Sequence, residues 1–261
     1  MILVFATPRS GSSWFVSRYL TSTEQYRNYK SVGEPFDRYK FNKAEQVEML
    51  DRIKSKQDII VKVFPEHLVN PLPNLMHHIT EAAEKIYVLV RKNYNAQLQS
   101  IYIADQTSYF YSDDLPLRTI SYDREKYEQH NEEMQVRYHR LLEIYRSLSD
   151  QGELIFLEDL PDIGKYKQPV VWSDLPPVID FNVEGLFDPM LTTITEAVLN
   201  EPEFKKGGFV WSHIVQRKSD PMVAVRSAVD RMRDLHDIPD NQFNNVCYEV
   251  LKGIQAKVAG F

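Results

Sequence analysis

Short apolar runs alternate along the chain with amphipathic stretches. Ile2 to Thr7 is apolar and β-prone, and Ser12 to Leu20 then sets Trp14, Phe15, Val16, Tyr19 and Leu20 at helical spacing. Asn42 caps a polar helix expected to run to Lys56, after which Asp58 to Phe64 reads as a second strand. A helix over Asn74 to Lys85 leads to a third strand, Ile86 to Arg91, and Asn93 or Asn95 starts the next helix. The long amphipathic stretch from Asp123 to Leu148 stops before Gly152, and Glu153 to Glu158 is a fourth strand. Beyond it, 161–189 is irregular and rich in Pro, Asp and Gly. Residues 190–261 are mainly helical, with helices expected over Asp188 to Asn200, Asp220 to Asp234 and Asn241 to Val258.

Apolar strands separated by helices predict an α/β fold, a parallel sheet with helices on both faces, in a single domain with a helical C-terminal region. At 261 residues and 43% hydrophobic, the chain has enough material for one sizeable core. The turn at Pro8 then falls at the carboxyl end of a strand, where such sheets bind ligands.

Charge narrows the partners. The net charge of −6 provides no general basic field, so nucleic acid is not expected and any anion must be held by a local set of donors. No apolar run approaches the ~20 residues of a membrane span, and a strand begins directly after Met1, so the expectation is a cytoplasmic protein without a membrane partner. The single cysteine, Cys247, excludes an internal disulfide framework and reads as a buried or half-buried thiol.

The chemistry concentrates in Pro8-Arg9-Ser10-Gly11-Ser12-Ser13-Trp14. Gly11 lets the backbone curl, and the amides from Arg9 to Ser13 converge on one anion at the positive end of the new helix. The nucleoside-triphosphate motif would add Lys-Ser/Thr after its last glycine, and this turn lacks that pair. Instead Arg9 offers a cation at the front, and Trp14 a flat face for an adenine.

This heptapeptide resembles the 5′-phosphosulfate loop of the P-loop sulfotransferases, and two further stretches carry the resemblance across residues 1–160. Tyr87-Val-Leu-Val-Arg91-Lys92-Asn93 through Ser100 is similar to the strand end and helix that hold the donor's 3′-phosphate with an arginine and a serine. The cation is Arg91 or its neighbour Lys92, with Arg91 preferred because it closes the strand beside the first turn and its guanidinium suits bidentate phosphate binding. Leu157-Glu158-Asp159-Leu160 resembles the family's strand end Tyr-Glu-Asp-Leu, with Leu157 in the tyrosine's place and a supporting role implied.

The resemblance implies a P-loop-type sheet and an enzyme of the bacterial and carbohydrate-type branch. Such an enzyme moves a sulfonate from 3′-phosphoadenosine 5′-phosphosulfate (PAPS) to a hydroxyl or amine of a carbohydrate or small metabolite. The product is 3′-phosphoadenosine 5′-phosphate (PAP), and the scheme requires no metal. Expected donor-binding residues are Arg9, Ser10, Gly11, Ser12, Ser13, Trp14, Arg91 and Ser100. Gly33-Glu34-Pro35 resembles the element that carries the family's catalytic carboxylate, which makes Glu34 the expected general base, with His67 the alternative. Arg9, Lys62 and His67 are candidates to meet the transferred group. Lys205 and Lys206, or Lys165 and Lys167, are candidates to close over the 3′-phosphate, and the aromatic and acidic run from Ile101 to Tyr127 is a candidate acceptor pocket. Two other readings stand beside this one: a P-loop kinase using ATP and Mg²⁺, and a sulfotransferase-like protein that binds without catalysis.

Overall fold

The computed structural model describes residues 1–37, 43–68, 75–107, 118–161, 170–200, 221–233, 238 and 242–258. The described residues form two compact units, Met1–Phe181 and Asn182–Phe261. The expected parallel sheet lies in the first unit and the expected helical region makes up the second.

In the first unit, β1 (Ile2–Ala6), β2 (Lys30–Gly33), β3 (Ile59–Val63), β4 (Lys85–Val90) and β6 (Gly152–Phe156) make one parallel sheet in the order β2-β3-β1-β4-β6. Its helices are α1 (Ser12–Trp14), α2 (Lys43–Lys54), α3 (Leu75–Glu81), α4 (Tyr94–Thr107) and α5 (Arg124–Ser147). A separate pair of short parallel strands, β5 (Arg118–Ile120) and β7 (Val170–Trp172), completes this unit.

β1 is the centre of the sheet: Ile2 sits opposite Ile60 on β3 and opposite Lys85 on β4. All five of its residues are buried, as a strand covered on both faces must be. The chain leaves β1 toward the β2 edge, whereas every later crossover within the sheet moves the other way. With right-handed crossovers this sends α1 to one face and the later helices to the other. Packing agrees: Phe15, Val16 and Leu20 cover Ile2, Val4, Ala6, Ile60 and Leu89. Leu3, Phe5, Val61, Val63 and Val88 are buried on the opposite face. Connections from adjacent strands β1 and β4 therefore diverge, and the crevice between them opens at the carboxyl end of β1.

Several elements differ from the sequence reading. Lys30–Gly33, expected as loop, is an edge strand, and its pairing slips between Ser31 and Gly33. Gly33, at φ 70°, takes up that irregularity immediately before Glu34. The irregular 161–189 stretch contains β7 and the short helix α6 (Val183–Leu186), and the boundary between the two units falls inside it. α1 is also less regular than expected: Ser12–Trp14 is α-helical, but the helix widens to π-type bonding over Phe15–Tyr19 and tightens to a 3₁₀ turn at Leu20–Ser22.

The second unit packs α7 (Pro189–Asn200), α8 (Pro221–Met232) and α9 (Phe243–Val258) around Ile194, Val198, Val225, Val229, Val246, Val250 and Ile254. Cys247 is fully buried in this core, and burial pushes its thiol above the ordinary range.

Candidate active site

Three strand ends converge on the turn after β1. The turn starts with the Ser10 amide donating to the Thr7 carbonyl at 3.2 Å, and both Arg9 (φ 61°) and Gly11 (φ 85°) adopt left-handed backbone conformations. Gly11 is needed there twice over. A side chain would be strained at that φ, and a Cβ would come within 2.7 Å of a Leu157 methyl. Leu157, in the position where the resemblance expects tyrosine, therefore closes directly on the turn. Gly11 also begins α1 without a side-chain cap, so the first amides of that helix have no capping oxygen from its own side chain. Ser10 is fully buried, and its Oγ has no hydrogen-bond partner among the described residues.

On the β3 side the turn meets charge. Lys62 is buried near the end of β3 and its Nζ donates to Ser13 Oγ at 3.0 Å. The same ammonium lies 2.9 Å from Glu34 Oε1. Glu34 follows the irregular end of β2, so the edge strand missed in the sequence is what carries the carboxylate to β3. His67 is placed differently from expectation. It is 1% exposed, its Nδ1 accepts from the Phe64 amide at 3.1 Å, and its Nε2 faces Asp37 at 3.7 Å. With Nδ1 accepting, the ring proton sits on Nε2, and the imidazole stacks on Phe64 as part of the packing.

On the β4 side the two phosphate motifs meet. Arg9 Nε donates to Ser100 Oγ at 2.8 Å, and Arg91 Nη1 donates to the Arg9 carbonyl at 3.3 Å. Arg9, expected beside the transferred group, thus turns its Nε to the α4 serine. Burial pulls the Arg91 guanidinium below its ordinary value, opposed by Glu158, whose Oε1 is 3.7 Å from Arg91 Nε. Glu158 also accepts from the Lys92 amide at 2.8 Å and the Asn93 amide at 3.1 Å, holding the start of α4. Lys92 pairs with Asp159 at 2.8 Å and lies 5.0 Å from the Phe156 ring centroid, which leaves Arg91 as the cation bonded to the turn. Lys62 pairs with Glu34, Arg91 approaches Glu158 and Arg9 bonds Ser100, which places three cations around one turn in a chain whose net charge is −6.

Trp14 is half-buried, with its ring 6.3 Å from that of Tyr19 at an angle of 27°. Within the proposed acceptor segment, Tyr102 is fully buried, stacks on Trp172 and bonds Ser121 and Asp123 through its hydroxyl, so it belongs to the packing and lines no pocket. Tyr109, Phe110, Tyr111, Asp113 and Asp114 lie outside the described residues, as do Lys165, Lys167, Lys205 and Lys206.

Three residues of the site escaped the sequence reading. Gln97 Nε2 donates to Thr7 Oγ1 at 2.8 Å and to the Pro8 carbonyl at 2.6 Å. Tyr138 donates to Gln97 Oε1 at 2.5 Å and lies 2.9 Å from the Arg91 carbonyl. Each is uncharged and sits in an element whose pattern is explained by packing alone, so no local signal marked them.

Compared with known protein families, curated proteins and solved structures, the chain gives no match.

Proposed function

We propose that the chain is a sulfotransferase that moves the sulfonate of PAPS to a hydroxyl or amine of a small-molecule or carbohydrate acceptor. The observation that carries this reading is the meeting of Arg9 and Ser100, 91 residues apart, with Arg91 bonded to the same turn. The residues present fit a doubly phosphorylated nucleotide. The turn offers an uncapped helix start and a buried serine hydroxyl with no partner among the described residues, and the β4 side adds two guanidinium groups.

In this reading the amides and hydroxyls of Ser10, Gly11, Ser12 and Ser13 hold the 5′-phosphate, Arg91 and Ser100 the 3′-phosphate, and Trp14 the adenine. The donor supplies an electrophilic sulfur. As the acceptor oxygen bonds to sulfur and the bond from sulfur to the phosphate oxygen breaks, the acceptor proton passes to Glu34, and PAP leaves. Lys62, between Ser13 and Glu34, steadies negative charge at the transferred group and keeps the carboxylate beside it. Placement of Arg9 on Ser100 gives its guanidinium a share in the 3′-phosphate end of the site.

Titration calorimetry with PAP and, separately, with ATP·Mg²⁺ tests the reading. Tight binding of PAP with no response to ATP·Mg²⁺ is expected. The reverse pattern favours a kinase, and PAP binding without transfer to any acceptor in a broad library favours a binding protein.

A further inference from the structure

Thr7, Gln97 and Tyr138 are fully buried and come from three separate elements: the end of β1, α4 and α5. The Pro8 carbonyl fixes their hydrogen-bond directions. A carbonyl only accepts, so the Gln97 atom 2.6 Å from it must be the amide nitrogen, and Gln97 Oε1 therefore faces Tyr138. Gln97 Nε2 then donates to Thr7 Oγ1, the Thr7 hydroxyl bonds the Tyr138 oxygen, and the Tyr138 hydroxyl donates to Gln97 Oε1. The three side chains close a ring of hydrogen bonds in which each donor polarises the next.

Two outward contacts give this ring a function. Gln97 Nε2 donates to the Pro8 carbonyl at the front of the 5′-phosphate turn, and the single Tyr138 hydroxyl hydrogen is shared between Gln97 Oε1 at 2.5 Å and the Arg91 carbonyl at 2.9 Å, at the 3′-phosphate anchor. The ring is therefore a neutral, buried brace between the two places where the proposed donor carries charge. Its members bond one another and the backbone of the two anchors, and so set the separation of those anchors.

We propose that Gln97 is a positioning residue that fixes the spacing of the two phosphate anchors, and so makes the site select nucleotides with both 3′- and 5′-phosphates over those with a 5′-phosphate alone. This rests on the sulfotransferase reading. A mobile turn still binds one phosphate, but it loses the advantage of presenting both anchors at once.

The test is the ratio of affinities for PAP and adenosine 5′-monophosphate, measured by calorimetry on the full chain. In Gln97→Met and Thr7→Val, which keep side-chain volume and lose the ring, the ratio is expected to fall on the order of tenfold. Thr7→Ser, which keeps the hydroxyl, is expected to retain it. Should Gln97→Met fail to melt cooperatively, Thr7→Val and Tyr138→Phe report on the same ring. Folded variants that keep the wild-type ratio, or lose both nucleotides equally, overturn the positioning role and leave the sulfotransferase reading standing. A wild-type chain that binds neither nucleotide overturns both.

Discussion

The two flanks of the β1 turn are built from different materials. Toward β3, the turn meets a buried lysine and a partly exposed carboxylate, two charges and one serine hydroxyl joined by contacts of 2.9 and 3.0 Å. Toward β4, it meets the closed ring of neutral side chains, and the carboxylate on that side, Glu158, accepts two backbone amides. A charged pair whose carboxylate is partly exposed suits proton transfer, because that carboxylate can exchange partners when an acceptor arrives. A buried neutral network suits positioning, since breaking any bond in it strands a polar group away from water at a cost of about 1–3 kcal/mol.

The largest expected effect belongs to the β3 flank. Glu34→Gln retains an oxygen for Lys62 but cannot take a proton, so kcat should fall by roughly 10²–10⁴ with the affinity for PAP unchanged. Wild-type turnover in that variant would remove Glu34 from the chemistry. The opposite signature is expected on the β4 flank: Arg91→Ala should raise the Kd for PAP by about 10–100-fold and leave adenosine 5′-monophosphate nearly unaffected, as the loss of a charged hydrogen-bond donor predicts. Equal losses for both nucleotides would assign Arg91 to the 5′ end and erase the distinction between the flanks.

How far this contrast could be read from the sequence depends on what marks each side chain. The strands β1, β3 and β4 show as apolar runs because they are buried inside the sheet, and β6, at the edge opposite β2, still carries Leu154-Ile155-Phe156 although it is only partly buried. β2 reads Lys-Ser-Val-Gly, since an edge strand with half its length exposed carries no such run. Arg9, Glu34, Lys62, Arg91 and Ser100 were found because charge and motif spacing survive in one dimension. The ring was not, because the Gln97 contacts span 90 residues to Thr7 and 41 to Tyr138, and a glutamine or tyrosine on an amphipathic helix looks the same whether it faces solvent, core or partner. Leu157 stood out only as a substitution for tyrosine; its contact with Gly11 supplies the physical reason a side chain with terminal methyls fits there.

Alkaline pH should probe the helices behind the β4 flank without mutation. α5 carries both Tyr138 and Tyr127; burial pushes Tyr127 up to about 12, and raises Tyr138 and its neighbour Tyr94 as well. A phenol whose folded pKa lies above its unfolded value of about 10 stabilises the fold fully below pH 10 and loses that contribution as pH rises through the folded value. Tyr127 alone would withdraw about 2–3 kcal/mol by pH 12. Denaturant unfolding at a series of pH values, with tyrosinate absorbance as the second probe, should show the tyrosine-linked loss only above pH 10, following a smaller loss from the buried Cys247 thiol that begins above about pH 8.5. A decline that begins near neutrality would place the sensitive groups elsewhere.

The smallest effect asks whether Glu158 serves the helix or the arginine. Its carboxylate accepts from the amides of Lys92 and Asn93 just before α4, at distances of 2.8 and 3.1 Å, while its nearest approach to Arg91 Nε is 3.7 Å. The shorter contacts are those to the backbone, and an anion at a helix start also gains from the helix dipole. Glu158→Gln keeps one accepting oxygen and loses the charge, so unfolding in urea should show a loss of about 1 kcal/mol. PAP affinity should change far less than in Arg91→Ala, because the guanidinium keeps its bond to the Arg9 carbonyl. If affinity falls as far as it does without Arg91, the carboxylate aims the guanidinium, and the β4 flank depends on an ion pair after all.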